Sequence, residues 1–260
     1  MRKNKCFNIL FCNLSFIVIF IILFPVINIF LKNDIQIFKQ TLVDKEVISS
    51  ILLTARASLY ASIFGIIFGV PLAYILARGK FFGKAFLESV IDIPVIIPHS
   101  AAGIALLGVF GRKFFVGDFF NKLGISFVGT EYGIALAMFF VSIPFLINGA
   151  KEGFKLVDKR YEHVAMTLGA SKFKAFKDIT LPLSLDSILS GVIMMWARGI
   201  SEFGAVIILA YHPMTASVKI FERFEAYGLN YARPVAVMLI LVCLSIFVVL
   251  RLLVNNKGEK

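Results

Sequence analysis

The stretch YEHVAMTLGASKFKAFKDITLPLS, Tyr161 to Ser184, is a long polar run between two segments apolar enough to sit in lipid. Its apolar positions Tyr161, Val164, Ala165 and Leu168 recur at three- and four-residue spacings, which predicts a short helix with one greasy face. Gly169 ends that helix, because glycine enters the left-handed region just past a helix end without a Cβ penalty, and Ser171 is placed to cap the next one. The second helix carries Phe173 and Phe176 on one side, with Lys172, Lys174 and Lys177 around them. It is expected to stop before Pro182, whose ring disfavours helical geometry at Leu181. A helix, a tight turn and a second helix outside the bilayer leave two readings: a basic amphipathic element in the membrane interface, or a knob that docks in the groove of a partner protein.

The surrounding chain sets the class. Of 260 residues, 59% are hydrophobic and 17% charged, against roughly 25% charged in soluble domains. Six stretches approach the roughly 20 apolar residues that a helix needs to cross about 30 Å of hydrocarbon: within 6–31, then 57–77, 92–110, 132–150, 183–210 and 234–250. The expectation is an all-α polytopic membrane protein with six transmembrane helices and a single membrane domain over residues 1–260. The first stretch follows the basic start MRKNK but is longer than the roughly 7–15 residues of a signal-peptide core, and is read as a retained helix. Gly65 and Gly69 form a GxxxG pair on the second, which permits close helix packing. Cys6, Cys12 and Cys243 lie in apolar runs without metal-ligand spacing and are read as buried thiols.

The net charge of +11 would suit nucleic acid in a soluble protein, but no RNA-binding module is visible and the basic residues sort by membrane side. The N-terminus, 78–88, 151–182 and the C-terminal tail together hold 16 Lys and Arg, and the alternate loops 32–56, 111–131 and 211–233 hold 10. Positive charge is retained inside, so both termini and the opening stretch are expected on the cytoplasmic side.

The pattern in that stretch resembles the "EAA" cytoplasmic loop of binding-protein-dependent ABC importer permeases: Glu-Ala-Ala, three residues, Gly, nine residues, Ile, one residue, Leu-Pro. Here it reads His163, Val164, Ala165, then Gly169, Ile179, Leu181 and Pro182, with Glu162 one place before the family's Glu. The run from Trp196 to Leu229, WARGISEFGAVIILAYHPMTASVKIFERFEAYGL, is similar to that of the molybdate/tungstate permeases, archaeal tungstate permeases most closely; sulfate and thiosulfate permeases share a related R-x-x-x-E-F-G-A run. The resemblance implies a type I ABC importer permease fold in the cell membrane, a coupling loop at 151–182 (Glu162, His163, Val164, Ala165, Leu168, Gly169, Ile179, Leu181, Pro182), and import of a tetrahedral oxyanion. It further implies a homodimer of permease chains, two cytoplasmic ABC ATPase subunits that use ATP and Mg, and an external substrate-binding protein, with no cofactor bound by this chain.

Within the fifth stretch Arg198 and Glu202 stand four apart and can pair. Mid-membrane charges face a bundle interior or a cavity, so the pair either fixes helix rotation or lines the anion path, with Glu202 tempering Arg198. Ser201 and Gly204 belong to the same candidate path or gate, and Gly199 and Gly204 allow close backbone approach. Asp92, Pro98 and His99, in IDIPVIIPHS, are weaker candidates, His99 being read as a hydrogen-bonded interior residue.

Two rival classes, an intramembrane enzyme and a stand-alone secondary transporter, stay as less favoured alternatives. An intramembrane enzyme needs a catalytic constellation, and no HExxH, paired-aspartate or Ser/His arrangement occurs. RGKFFGKAF fails the phosphate-loop spacing, so ATP hydrolysis belongs to another polypeptide. A stand-alone secondary transporter is expected to show paired broken helices in inverted repeats, and no such pair is legible.

Overall fold

A computed structural model describes the backbone of residues 2–258 and the side chains of residues 11–252. These residues form helices α1 (Arg2–Leu31), α2 (Ile35–Leu42), α3 (Lys45–Arg78), α4 (Lys84–Ile96), α5 (His99–Phe110), α6 (Phe115–Lys122) and α7 (Glu131–Leu156). The chain continues through α8 (Lys159–Thr167), α9 (Lys172–Leu183), α10 (Leu185–Ile200), α11 (Gly204–Leu209), α12 (Ala216–Tyr227) and α13 (Leu229–Gly258), with no strand among the described residues. Side-chain caps mark many starts: the carboxylates of Asp34, Asp44 and Asp158 accept first-turn N–H groups at 2.8–2.9 Å.

Four of the expected spans are single helices long and apolar enough to cross a membrane, Phe11–Leu31, Lys45–Arg78, Glu131–Leu156 and Leu229–Leu252. The third is not continuous, since α4 and α5 meet at 111°. Pro98 lacks an amide hydrogen and holds Ile97 in an extended conformation, which ends α4 and opens α5. The fifth is also corrected: α10 stops at Ile200, residues 201–203 leave the helix, and α11 is a separate short piece. A further 71° bend separates α9 from α10. Two bent pairs are therefore present, one at the prolines of IDIPVIIPHS and one that the sequence did not announce.

The helix before Pro182 does not stop there. Residues Phe176–Thr180 form a wider π turn in which Leu181 N–H reaches Phe176 O, and Leu181 keeps helical angles (φ −63, ψ −48). Widening the turn removes the contact between the proline ring and the preceding turn that would otherwise break the helix.

The bundle is built on α3, α7 and α10. Lipid offers apolar side chains as good a solvent as another helix does, so association here depends on close backbone contact. A Cβ at Gly149 would lie 3.0 Å from Cα of Gly191, and one at Gly153 would lie 2.4 Å from Cβ of Ser187, so α7 and α10 meet through small residues. Gly65 packs on Met195 and Gly69 on Ile143, as the GxxxG pair suggested, whereas Gly199 has only ordinary contacts at 3.5 Å or more and does not mark a tight crossing. Gly153→Leu is expected to leave insertion unchanged but to separate these helices, lowering the thermal unfolding midpoint of the purified chain by several degrees; an unchanged midpoint would refute the packing argument.

Each ion pair or side-chain hydrogen bond joining two of the charged end loops connects loops of one predicted side: Arg78 with Glu162 and Lys151 with Glu88 at one end, and Arg56 with Glu131, Lys219 with Glu46 and Arg223 with Asp44 at the other. At that second end Thr54 Oγ1 accepts the N–H of Ala216 at 2.8 Å, tying α12 to α3. Cys12 is exposed along the unburied face of α1 and Cys243 is half-buried, because long apolar helices at the rim face lipid; Cys6 lies outside the described side chains.

Candidate functional site

Two constellations stand out, one in the loop and one between the broken spans. In the loop, α8 ends in a Schellman turn: Gly169, at φ +91, donates to Met166 O, and Ala170 donates to Ala165 O, both at 3.0 Å. Ser171 Oγ accepts from Lys174 N–H and starts α9. Tyr161, Val164 and Leu168 project outward, Leu168 with 84% of its surface exposed, and His163 is exposed beside them. Phe173 is also exposed, but Phe176 turns inward to meet Tyr74 and Phe154, with ring centroids 4.6 and 5.9 Å away. Ala165 and Ile179 are half-buried, Leu181 packs against the core, and Pro182 is exposed.

Glu162 points the other way. Its Oε1 accepts from Nε of Arg78 and Oγ1 of Thr180, both at 2.8 Å, and its Oε2 accepts from the Tyr74 hydroxyl at 3.1 Å. The side chains of Arg78 and Glu162 are only 11% and 12% exposed. Burial alone would raise the Glu162 carboxyl, but the hydrogen bonds from Thr180, Arg78 and Tyr74 outweigh it and hold it below its ordinary 4.5. Arg78 Nη2 also donates to Val157 O at 2.9 Å, so one guanidinium closes the entrance to the loop. Spacing alone did not assign Arg78, Tyr74 or Thr180 to this loop; the available signal was that Glu162 and Met166 lie on the side of the helix away from Val164 and Leu168.

The second constellation forms where the breaks in the two spans face each other. Gly204 lets the start of α11 approach the start of α5, since a Cβ there would lie 2.7 Å from Cβ of His99. Glu202 is 1% exposed. Its Oε1 accepts the N–H of Ala205 at 2.9 Å, and its Oε2 meets Nδ1 of His99 at 2.7 Å and Nη2 of Arg198 at 3.1 Å. The predicted pair therefore forms, and His99, ranked below it by sequence, joins it. Arg198 is 26% exposed, and its Nη1 lies 3.5 Å from Oγ of the exposed Ser201. Asp92 stays apart, bonded to Asn148 at 2.7 Å.

The helix below has two faces. Ile188, Gly191, Met195 and Trp196 are buried, whereas Asp186, Ser190 and Met194 are exposed on the side that carries Arg198. A groove of about 390 Å³ runs along it between Phe145 and Met194. A stripe holding Asp186, Ser190 and Arg198 is unsuited to hydrocarbon, so this face of α10 requires water or another protein surface. Chemically, it offers a cation whose counter-charge sits behind it, away from the open side.

A family model described as a binding-protein-dependent transport system inner membrane component matches residues 65–257. The molybdate/tungstate transport system permease protein of Pyrococcus abyssi is 46% identical, covering 93% of each chain. A probable sulfate transport system permease protein of Chlorella vulgaris is 30% identical over 83% of this chain and 82% of its own. Among solved structures, a chain of a bacterial ABC transporter involved in the import of the acidic polysaccharide alginate superposes with a TM-score of 0.73 at 16% identity, covering 94% of this chain and 93% of that one.

Proposed function

The chain belongs to the binding-protein-dependent transport system inner membrane components, and on that premise we propose that this permease of an ABC importer carries a tetrahedral oxyanion, tungstate or molybdate, into the cell. The observation that carries the substrate class is Arg198, a cation on the open face of α10 with Glu202 buried behind it. A doubly negative anion is drawn to the guanidinium, while the carboxylate reduces its pull enough for release, as a conduit requires. Higher identity to molybdate/tungstate permeases than to sulfate permeases supports the larger oxyanions. Uptake of tungstate by proteoliposomes holding the assembled transporter is expected to be competed by molybdate and less by sulfate; uptake indifferent to all three would sink the oxyanion reading.

The assembly is part of the same proposal: two permease chains, two cytoplasmic ABC ATPase subunits that use ATP and Mg, and an external binding protein. Support for ATPase docking is the outward face of Tyr161, Val164 and Leu168, held at a fixed angle by Gly169. A Cβ at Gly169 meets nothing within 4 Å, so the main cost of Gly169→Val is the left-handed backbone, about 1–2 kcal/mol. The loop is expected to re-aim while the spans stay folded, and the ATPase to co-purify at a fraction of its wild-type yield. Equal recovery would return the stretch to the membrane interface. For sidedness, cysteines introduced near Lys84 and Ser171 in a chain freed of native cysteines should label from the cytoplasm, and those near Lys122 and Glu222 from outside. The reverse pattern would invert the orientation.

A further inference from the structure

The ring of His99 lies between opposite charges. Its Nδ1 is 2.7 Å from Oε2 of Glu202, and Nη2 of Arg198 stands close against the ring, 2.7 Å from Nε2 and 2.8 Å from Nδ1. A carboxylate only accepts, so in the neutral ring Nδ1–H donates to Glu202, while the guanidinium, nearly equidistant from the two ring nitrogens, lies against the face of the ring. The contacts span the chain from α5 to the end of α10, and Gly204 is the reason the ring fits there.

We propose that His99 is a positioning residue for anion passage: neutral, it holds Nη2 of Arg198 to the wall and leaves Nη1, beside Ser201, facing the open side; protonated, it repels the guanidinium and frees it into the path. This rests on Arg198 lining that path. Nδ1 of His99 and Nη2 of Arg198 already share Oε2 of Glu202, so protonation sets a positive ring directly against the guanidinium with one carboxylate between them. Two positive charges then face one negative, and a dianion is held longer.

The elements packed on α5 bring no other free charge to the ring. α11 has no ionisable residue, Asp118 and Lys122 of α6 pair with each other, and on α7 Glu131 is engaged by Arg56, Lys151 by Glu88 and Lys155 by Glu152. Asp92, at the end of α4, is taken by Asn148. Glu202 and Arg198 are therefore the charges that answer to His99.

The test uses the whole transporter, permease with its ATPase and binding protein, in proteoliposomes with tungstate as the probe. Anion moved per ATP hydrolysed is measured from about pH 5.5 to 8, the window in which imidazoles titrate. The wild type should fall about tenfold toward acid, the scale of one charge-assisted hydrogen bond gained by the anion, and His99→Gln and His99→Asn should lose that step. Variant profiles parallel to the wild type overturn the proposal. A second measurement leaves His99 in place: in a Ser201→Cys chain, the ratio of labelling rates with negatively and positively charged thiol reagents should rise on acidification, and a flat ratio overturns it equally. Arg198→Gln separates the two levels. If it transports normally, the path reading itself fails; if it is impaired while the His99 profiles coincide with wild type, only the positioning role fails.

Discussion

A transporter carrying Arg198→Gln is expected to insert, assemble and hydrolyse ATP, yet to import anion at about a tenth of the wild-type rate or less, since a hydrogen bond to a charged group is worth about 1.5–3 kcal/mol. The geometry makes the change specific. Arg198 sits on the open face, so its loss leaves the helix contacts of α7 and α10 intact, while Glu202 keeps its bonds to Ala205 and His99. On the proposed path the anion meets a partly exposed cation, so the wild-type rate should fall as external salt rises, and the variant should lose most of that dependence. The double change Arg198→Gln with Glu202→Gln decides between path and scaffold. A purely structural pair, neutralised on both sides, should recover folding and transport together, so full transport by the double variant would remove Arg198 from the path.

The second large effect is expected at Glu162. Glu162→Ala leaves the Arg78 guanidinium without its carboxylate in a site about nine-tenths closed to solvent, and stranding one partner of such a pair costs about 3–5 kcal/mol. The spans do not depend on this contact, but the entrance of α8 does. The outward face of Val164 and Leu168 remains, so the ATPase should still be recovered with the chain, although ATP hydrolysis should drive little transport. Transport at wild-type level would show that the anchor transmits nothing. Acid should mimic the change. Glu162 titrates below its ordinary 4.5 in the folded loop, so the stability it lends is complete above about 4.5 and is lost as pH falls through the lowered folded value. Protease cleavage within 158–170 should therefore rise at low pH in the wild type and be pH-independent in Glu162→Gln.

The spans and the loop were legible because both rest on local pattern: apolar length for one, three- and four-residue spacing with Gly169 for the other. The breaks were legible only in part. Pro94 and Pro98 are a visible warning in IDIPVIIPHS, but the exit from helix at 201–203 lies in a run, GISEFGAV, whose apolar residues continue on both sides. The π turn before Pro182 has no composition signal at all, because a one-residue widening changes no residue type. His99 was undervalued for a different reason: its partners are 99 and 103 residues away, and only the meeting of α5 with α11 brings them together. Glu162 was placed in the coupling loop one position before the family's Glu, and that one-residue offset from His163 turns it by about 100°, toward Arg78.

Helix α3, at 34 residues, is about 51 Å long by the ordinary rise per residue, against a hydrocarbon core of about 30 Å. Near one end Arg78 and Tyr74 grip the loop through Glu162; near the other Thr54 grips the first turn of α12 and Glu46 grips its Lys219. It is a pushrod riveted at both ends. A tilt imposed by the loop is then felt at the rim on the other side of the bilayer, and the reverse also holds, along one continuous helix. The two faces of the protein can thus report on each other even when no anion is in transit.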